Sequence, residues 1–401
     1  MPKDLKGREL PKGIYQRKDG RYEARAMIHG NSIQLYNNNL KELKADFEKA
    51  KEQARQGINQ KYANITLNEW FEEWFTKYKI PQIKETSINP MRSRYYGTFG
   101  AIIGNKKVVD ILNIDIQEVM NTMHEQGRAS SSMRDALGRV RECLESAKNN
   151  RIITVNPCFD IVVPWEKKSK PRRFLTKEEQ NKFLETAGKG WYKEMFYTMF
   201  LTGMRVGEIG GLKWEDIDFK NKCIHIKRSL SCQYYHGEKM LKITTPKTHN
   251  SYRKIPFMGE IEKMLLSQRK KQQELKKELG NRYRSTDEFA ELVFVTSMGS
   301  PATRYIVEKE CNNIVKAINE EEAYASIMEQ RAPVVFEKVY PHAIRHTFCS
   351  RCFQLKMNPK VVQALMGHQN YSTTIDIYTH VMENDITEEA CKMKSALSAA
   401  I

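Results

Sequence analysis

Hydrophobic and polar residues alternate in the first part of the chain in the way that β-strands require. Asp19-Gly20 is a strong hairpin-turn signal, and apolar residues then occupy every second position from Tyr22 to Ile28. A second turn at residues 29–32 leads into a third strand. The next segment, Leu40 to Arg55, has helical spacing with one apolar face. Residues 1–64 are therefore predicted to form a three-stranded sheet backed by one helix.

The hydrophobic period becomes helical at residue 65. Thr66 and Glu69 form a capping-box signature, and apolar residues follow at helical spacing: Leu67, Trp70, Phe71, Trp74 and Phe75. Further helices are predicted over Ser87–Tyr96, Asn113–Glu125 and Ser130–Asn149. An aromatic stripe at this spacing usually packs in a core rather than stacking on bases. We therefore interpret residues 65–165 as an all-helical bundle.

Residues 166–173, Glu-Lys-Lys-Ser-Lys-Pro-Arg-Arg, have no apolar period and are predicted to be a basic interdomain linker. Helical structure restarts after Thr176, a predicted N-cap. Met240–Thr244 and Tyr252–Pro256 read as the two strands of a hairpin around Pro246-Lys247-Thr248. Residues 174–401 are thus expected to be mainly helical with a small antiparallel sheet. The fold class is α+β multidomain.

The charge of the chain indicates its partner. The 401 residues carry a formal net charge of +17 with a pI near 9.3, which favours a polyanion such as nucleic acid. The sequence has no apolar run of membrane-spanning length and no apolar signal segment at its start, so we expect a cytoplasmic protein without membrane contact. Eight cysteines are too few for a disulfide framework, and Cys349 and Cys352 are interpreted as buried reduced thiols.

Six residues in the second half of the chain are the types that metal-free phosphodiester cleavage needs. Guanidinium groups suit the transition state because they stay ionised and present a planar fork of donors to phosphate oxygens. A tyrosine nucleophile, with a pKa of roughly 10, needs a proton acceptor, and the leaving oxygen needs a proton. The residues are Arg205 in Thr-Gly-Met-Arg-Val-Gly-Glu, Lys247 in Thr-Pro-Lys-Thr, His342 and Arg345 in His-Ala-Ile-Arg-His-Thr, His368 in Leu-Met-Gly-His, and Tyr378 in Asp-Ile-Tyr-Thr-His.

In this order and these local settings the six residues resemble the signature of the tyrosine recombinases, or integrases, and the resemblance covers residues 173–401. It implies that Tyr378 attacks the phosphate and that Arg205 and Arg345 clamp it. Lys247 is then the general acid, His342 assists proton transfer and His368 bonds the scissile phosphate. Glu208, three residues after Arg205, could orient that arginine.

Two other tyrosines, Tyr371 and Tyr252, are rival nucleophiles. The family places its tyrosine about ten residues after the histidine, within Thr-x-x-x-Tyr. Only Tyr378 fits that pattern here, because Thr374 lies four residues before it and Tyr371 comes only three residues after His368.

The first 64 residues resemble the arm-type DNA-binding domain of conjugative-transposon integrases, and residues 65–165 resemble the family's core-binding domain. These resemblances, with the basic linker, imply that double-stranded DNA is bound at core and arm-type sites. The candidate phosphate contacts are Lys18, Arg21, Arg25, Lys84, Arg92, Arg94, Lys170 and Arg172.

An amphipathic pattern after Tyr378, through Ile386 to Ile401, predicts a terminal helix that packs on its own domain or docks on a second subunit. The resemblance favours a homodimer to homotetramer on DNA, with an accessory excision or DNA-bending protein as a further partner. It implies no cofactor and no metal. Two alternatives remain open: a type IB topoisomerase-like enzyme, and a DNA-binding architectural or regulatory protein. Formation of a strand-exchanged product would distinguish a recombinase from a topoisomerase-like enzyme. Formation of a covalent protein–DNA adduct would distinguish either enzyme from a regulatory DNA-binding protein.

Overall fold

The computed structural model of the chain describes residues 2–28, 31–55, 62–165, 173–235, 238–246 and 251–382. At residues 31, 53, 233–235, 238–239 and 378–382 it describes the backbone alone. The chain divides into two compact units, residues 1–169 and 170–401. Most of the predicted linker, residues 166–172, lies outside the described ranges.

The first unit begins with the predicted three-stranded antiparallel sheet, in the order β1 (Ile14–Gln16), β2 (Tyr22–Ile28) and β3 (Asn31–Asn37). Helix α1 (Leu40–Arg55) covers one face of it. The alternation in β2 buries Ala24 against α1, with Ile14, Ile33, Leu43, Phe47, Ala50 and Ala54. This agreement follows from strand geometry, because side chains two apart share a face.

Helices form the rest of the first unit. They are α2 (Leu67–Trp74), continued by a π-turn at Phe75–Lys79, then α3 (Glu85–Tyr96), α4 (Phe99–Ile102), α5 (Asn113–Glu125) and α6 (Ser130–Asn149). Helix α3 starts two residues before the predicted Ser87. The Thr66–Glu69 capping box is present. The apolar residues that follow this capping box, including Trp70, Phe71 and Trp74, are buried. Phe71 stacks on Tyr95 with ring centroids 3.5 Å apart, so these aromatic residues belong to the core.

The second unit is mainly helical. Its helices are α7 (Lys177–Gly188), α8 (Lys193–Thr202), α9 (Val206–Gly210), α10 (Gly259–Leu279), α11 (Arg304–Met328), α12 (Pro341–Gln354), α13 (Pro359–Met366) and α14 (Tyr371–Met382). Helix α8 is buried against α7, α10 and α12. Thr176 caps α7 as predicted, accepting from the Glu179 N–H at 3.2 Å. Within the described ranges, no helix combines the length and apolar character that crossing a membrane requires.

The prediction that the strands before and after Lys247 pair as a hairpin is wrong. Strand β7 (Glu238–Thr244) pairs with the preceding β6 (Ser229–Tyr235), whereas β8 (Arg253–Pro256) joins β4 (Ile217–Asp218) and β5 (Cys223–Ile226) in a separate sheet. The prediction of this pairing rested on the closeness of the two strands in the sequence and on the resemblance of the segment to the family's β-hairpin. Strand β7 satisfies its hydrogen bonds with β6 over seven residue pairs, and β8 buries Ile255 opposite Ile224 in the core. The described strands before and after Lys247, which itself lies outside the described residues, therefore belong to two different sheets.

The C-x-x-C pair of α12 is buried, as predicted. Both Cys349 and Cys352 are free thiols in a small apolar cluster with Phe353, Val362 and Met366. Burial raises the pKa of Cys349 to about 12 and that of Cys352 to about 11. Both thiols are therefore protonated at neutral pH and serve as packing groups.

Candidate active site

The C-terminal end of α13 binds three arginine side chains through three consecutive carbonyl oxygens. The last carbonyls of a helix lack partners within the helix and carry the negative end of its dipole, so they attract cations. Gly367 ends the helix with a φ of 62°. The pairs are Arg253 Nε with Leu365 O (2.6 Å), Arg345 Nη2 with Met366 O, and Arg205 Nη2 with Gly367 O (2.8 Å).

Glu208 is the carboxylate that two of these arginines share. Arg205 donates from Nη1 to Oε1 at 2.8 Å, and Arg253 donates to both oxygens, at 3.0 and 2.8 Å. The backbone N–H of Arg205 also donates to this carboxylate. Burial alone would raise the pKa of Glu208, but hydrogen bonds and charge from Arg253, then the charges of Arg205 and Arg345, hold it at about 2. The carboxylate is ionised, and it orients Arg205 as the sequence suggested.

Arg345 is the most enclosed of the three arginines, with 3% of its surface exposed. Its Nη1 donates to the carbonyl of Gly203 at 2.6 Å, so one guanidinium bridges the ends of α8 and α13. Gly203 is required there: its φ is 61°, and a Cβ would lie 2.3 Å from the ring of Phe348. Burial and the nearby charges of Arg205 and Arg253 lower the pKa of Arg345, which still remains cationic at neutral pH.

The two predicted histidines occupy different environments. His368 follows Gly367 and is buried, and its Nδ1 lies 2.9 Å from Oγ1 of Thr374 on α14. His342 is exposed in the first turn of α12, one turn before Arg345, with its ring centroid 6.2 Å from that of His346. The arrangement ties His368 directly to the helix that carries Tyr378.

Two predicted residues are less fully defined. Tyr378 lies on α14, one turn after Thr374, and its backbone alone is described; Lys247 lies outside the described residues. Of the rival tyrosines, Tyr371 lies at the start of α14 with the Lys360 ammonium 4.3 Å from its ring centroid. Tyr252 lines a cavity of about 320 Å³ with Arg253, Lys360, Gln363, Ala364, Gly367 and His368. Of the six predicted catalytic residues, the structure brings Arg205, Arg345 and His368 together at the end of α13.

Arg253 is the member of this group that sequence reasoning missed. Its side chain is 5% exposed and donates hydrogen bonds to Glu208, Leu365 O and Ser251 O. The sequence placed it in a strand after the Lys247 segment, where an arginine is usually a solvated surface residue. It contacts Glu208 and Leu365, which are 45 and 112 positions away in the sequence. No pattern among the neighbouring residues indicates such contacts.

Most described candidates for DNA contact are already paired within the protein. Arg21 lies 2.8 Å from Asp19, Arg25 contacts Glu23, Arg92 lies 2.9 Å from Glu72, and Arg94 lies 3.5 Å from Asp135. Lys18 and Lys84 are exposed, and Lys170 and Arg172 lie outside the described residues. Ion pairs with exposed carboxylates contribute little to stability, so a DNA phosphate could replace Asp19, Glu72 or Asp135 as the partner.

A separate group in the second unit has the donor types of a metal site. Asp218, Cys223 and His225 offer ligand atoms within 4.8 Å of one another on the β4–β5 hairpin, with 3.4 Å between Cys223 Sγ and His225 Nε2. Asp218 also accepts hydrogen bonds from the backbone and side chain of Asn221. This group shares no residue with the arginine cluster, so it has no part in the proposed phosphate chemistry.

The shifted pKa of Glu208 predicts how stability depends on pH. Its folded-state pKa of about 2 lies below the ordinary 4.5, so its ionisation stabilises the fold above about pH 5, and this contribution is lost as the pH falls towards 2. The contribution is on the order of 3 kcal/mol. We expect the advantage of wild type over Glu208→Gln in the free energy of unfolding to shrink between pH 7 and pH 3.

Urea denaturation at both pH values measures this difference. Glu274→Gln, which removes an exposed carboxylate of α10, is the control and should behave as wild type at both pH values. A wild-type advantage over Glu208→Gln that is equal at pH 7 and pH 3 would contradict the prediction.

Known proteins are similar to this chain over most of its length. The Phage integrase family model matches residues 173–385, and the model for the phage integrase N-terminal SAM-like domain matches residues 66–124. A "Tyrosine recombinase XerC-like" protein of Caldanaerobacter subterraneus subsp. tengcongensis is 30% identical over 370 residues, covering 88% of this chain and 89% of the relative.

Similarity extends to mobile-element proteins and to a solved fold. The transposase from transposon Tn1545 of Streptococcus agalactiae is 24% identical, covering 94% of this chain and 93% of the relative. The Tn1549 transposon integrase, solved in complex with a circular intermediate DNA, superposes with a TM-score of 0.64 at 22% identity. That match covers 78% of this chain and 95% of the other.

Proposed function

This chain belongs to the phage integrase family, and from that membership we propose how its own residues cleave and rejoin DNA. As a tyrosine recombinase, it is an enzyme that performs site-specific recombination. The observation that carries the residue roles is the convergence of Arg205, Arg345 and His368 at the end of α13, directly before the helix of Tyr378.

In the first step, the phenol oxygen of Tyr378 attacks the scissile phosphorus while the bond from phosphorus to the 5′ oxygen breaks. The phenol proton passes to His342, and Lys247 donates a proton to the departing 5′ oxygen. The products are a 3′-phosphotyrosyl bond and a free 5′-hydroxyl. A 5′-hydroxyl from the partner duplex then attacks the phosphotyrosine, and a second round of exchange resolves the Holliday junction.

The arginine cluster supplies positive charge where the transition state gathers negative charge. Arg205 and Arg345 are held by carbonyls and by Glu208 before DNA arrives, so little reorganisation is needed at the moment of reaction. We assign to His368, which is hydrogen-bonded to Thr374, the donation of a hydrogen bond to a non-bridging phosphate oxygen. The phosphotyrosyl bond retains the energy of the cleaved bond, so rejoining needs no nucleotide hydrolysis.

The other parts of the chain are assigned to DNA binding and assembly. Residues 1–64 bind arm-type sites and residues 65–165 bind the core site, while the segment after Tyr378 links subunits into a dimer to tetramer on DNA. An accessory DNA-bending protein assists excision of the mobile element, and the enzyme acts in the cytoplasm. Similarity to the Tn1545 transposase supports the mobile element, and the basic charge supports extended DNA contact.

Covalent trapping tests the proposed chemistry. Wild type is incubated, without metal or nucleotide, with a labelled nicked duplex that carries a core site from the ends of its element, and the mixture is then denatured. We expect DNA to migrate with the protein, and strand-exchanged product when a second site is added. Adduct without exchanged product would favour the topoisomerase-like alternative. Tight binding without adduct would favour a DNA-binding regulatory protein.

Removing residues 1–64 should separate cleavage from complete recombination. These residues form their own apolar core, and they contribute none of the proposed catalytic groups. We therefore expect the truncated protein to cleave core sites at near wild-type rates but to give little recombination between full sites that include arm sequences. Gel assays of adduct and recombinant product measure both. Loss of core-site cleavage by a truncated protein that remains folded would contradict the assignment.

A further inference from the structure

We propose that Arg253 is a positioning residue for DNA cleavage. It aligns Arg205 through Glu208, and it holds the backbone that leads into His368. This inference rests on the proposed function and extends it to a side chain that is not expected to touch DNA.

The contacts of Arg253 account for all three nitrogens of its guanidinium. Nε donates to Leu365 O at 2.6 Å, Nη1 to Glu208 Oε1 at 3.0 Å and Ser251 O at 3.3 Å, and Nη2 to Glu208 Oε2 at 2.8 Å. Four of the five N–H donors thus bind protein acceptors, and the side chain is only 5% exposed. Its effect on the reaction must therefore pass through the groups that it holds.

Glu208 is the first of these groups. The two parallel hydrogen bonds from Arg253 fix the plane of the carboxylate, and Oε1 then accepts from Arg205 Nη1 at 2.8 Å. Arg205 is about one third exposed and can reach a phosphate, whereas Arg253 cannot. A substitution of Arg253 is therefore expected to change the orientation of the Arg205 guanidinium group.

The end of α13 is the second group. Arg253 binds the first of the three carbonyls that receive arginines, and the other two hold Arg345 and Arg205. His368 is the next residue after those carbonyls. Arg253 is also the first residue of β8 and comes six residues after Lys247 in the sequence. Its side chain therefore connects the start of this strand to Glu208 and to the end of α13.

The test compares Arg253→Gln and Arg253→Lys with Arg228→Gln in the full-length protein. Arg228 is a matched control because it pairs with the buried Asp216 at 3.2 Å in the same unit, and its ion pairs are with Glu215 and Asp216 rather than with Glu208. For each variant we measure DNA affinity, thermal unfolding, and the single-turnover rate of adduct formation from pH 4 to 8. The same substitution is also made in a Glu208→Gln background.

We expect Arg253→Gln to slow adduct formation by ~100-fold with little change in DNA affinity, since misplacement of about 1 Å can cost this much. Arg253→Lys should be intermediate, and Arg228→Gln should cleave as wild type. Because Arg253 is the main cation on Glu208, its removal should move the acid limb of the rate profile to higher pH. In the Glu208→Gln background, Arg253→Gln should cost less than it does in wild type, because only its hold on Leu365 O then remains to be lost.

Several results would overturn the proposal. These are an unchanged rate and acid limb in Arg253→Gln, full additivity with Glu208→Gln, or an equal loss in Arg228→Gln, which would indicate general destabilisation. Absence of adduct from wild type would overturn the proposed function together with this inference. Wild-type cleavage with any of the first three results would overturn the role of Arg253 alone.

Discussion

Replacing Tyr378 by Phe is expected to abolish covalent capture of DNA while leaving DNA binding intact. The substitution removes only the phenol oxygen, which is the atom proposed to bond to phosphorus. Loss of a nucleophile cannot be offset by the remaining groups, so adduct formation should fall by more than ~10⁴-fold. Denaturing gels with a labelled nicked duplex measure the adduct, and a gel-shift titration measures binding.

Tyr371→Phe is the matched control, because Tyr371 begins the same helix and is the rival nucleophile. Tyr371 is not the tyrosine of the Thr-x-x-x-Tyr pattern. Its ring contacts the Lys360 ammonium at the surface. We expect this variant to form adduct at the wild-type rate. Adduct retained by Tyr378→Phe and lost from Tyr371→Phe would reverse the assignment of the nucleophile.

Replacing Arg345 by Lys should reduce the rate of adduct formation by ~10²–10³-fold, the loss typical of removing one donor to a transition state. The charge is kept, but an ammonium cannot reproduce the planar fork that bridges the carbonyls of Gly203 and Met366. We expect DNA affinity to change little, because the lost interaction matters mainly as charge develops on the phosphate. Single-turnover kinetics at saturating protein measure the rate.

Arg351→Lys provides the comparison on the same helix. Arg351 is partly buried and donates to the carbonyl of Leu175 at 3.0 Å and to the side chains of Gln180 and Gln354, none of which is a proposed catalytic residue. This variant should retain the wild-type rate. Equal rates for Arg345→Lys and wild type would mean that the guanidinium geometry of Arg345 has no part in the reaction.

The site depends on an unusual concentration of cations around one carboxylate. Three guanidinium groups face Glu208 and three adjacent carbonyls, and the carboxylate and the helix end offset part of their mutual repulsion. A net positive charge remains in a partly buried site. We propose that such a site is organised in advance for a phosphate, whose non-bridging oxygens would complete the charge balance.

The amino-acid sequence by itself was sufficient for the local structure and for the family. Periods of two and of 3.6 residues, with caps at Thr66 and Thr176, located the first sheet, the helices α1, α2, α3, α5 and α6 and the start of α7, because these features depend on neighbouring residues. The six-residue signature led to the family, which the comparisons confirm. Its individual roles remain predictions, including those of Lys247 and Tyr378.

The tertiary structure alone decided which distant groups meet. Strand pairing around Lys247 was wrong in the sequence interpretation because neighbouring strands need not pair when a core position, here Ile255, favours another partner. Arg253 and the three carbonyls of residues 365–367 could not be anticipated, since their contacts span 21 to 162 residues of the chain. Hydrogen bonds across such separations follow from packing of whole elements, and no local period of the sequence records them.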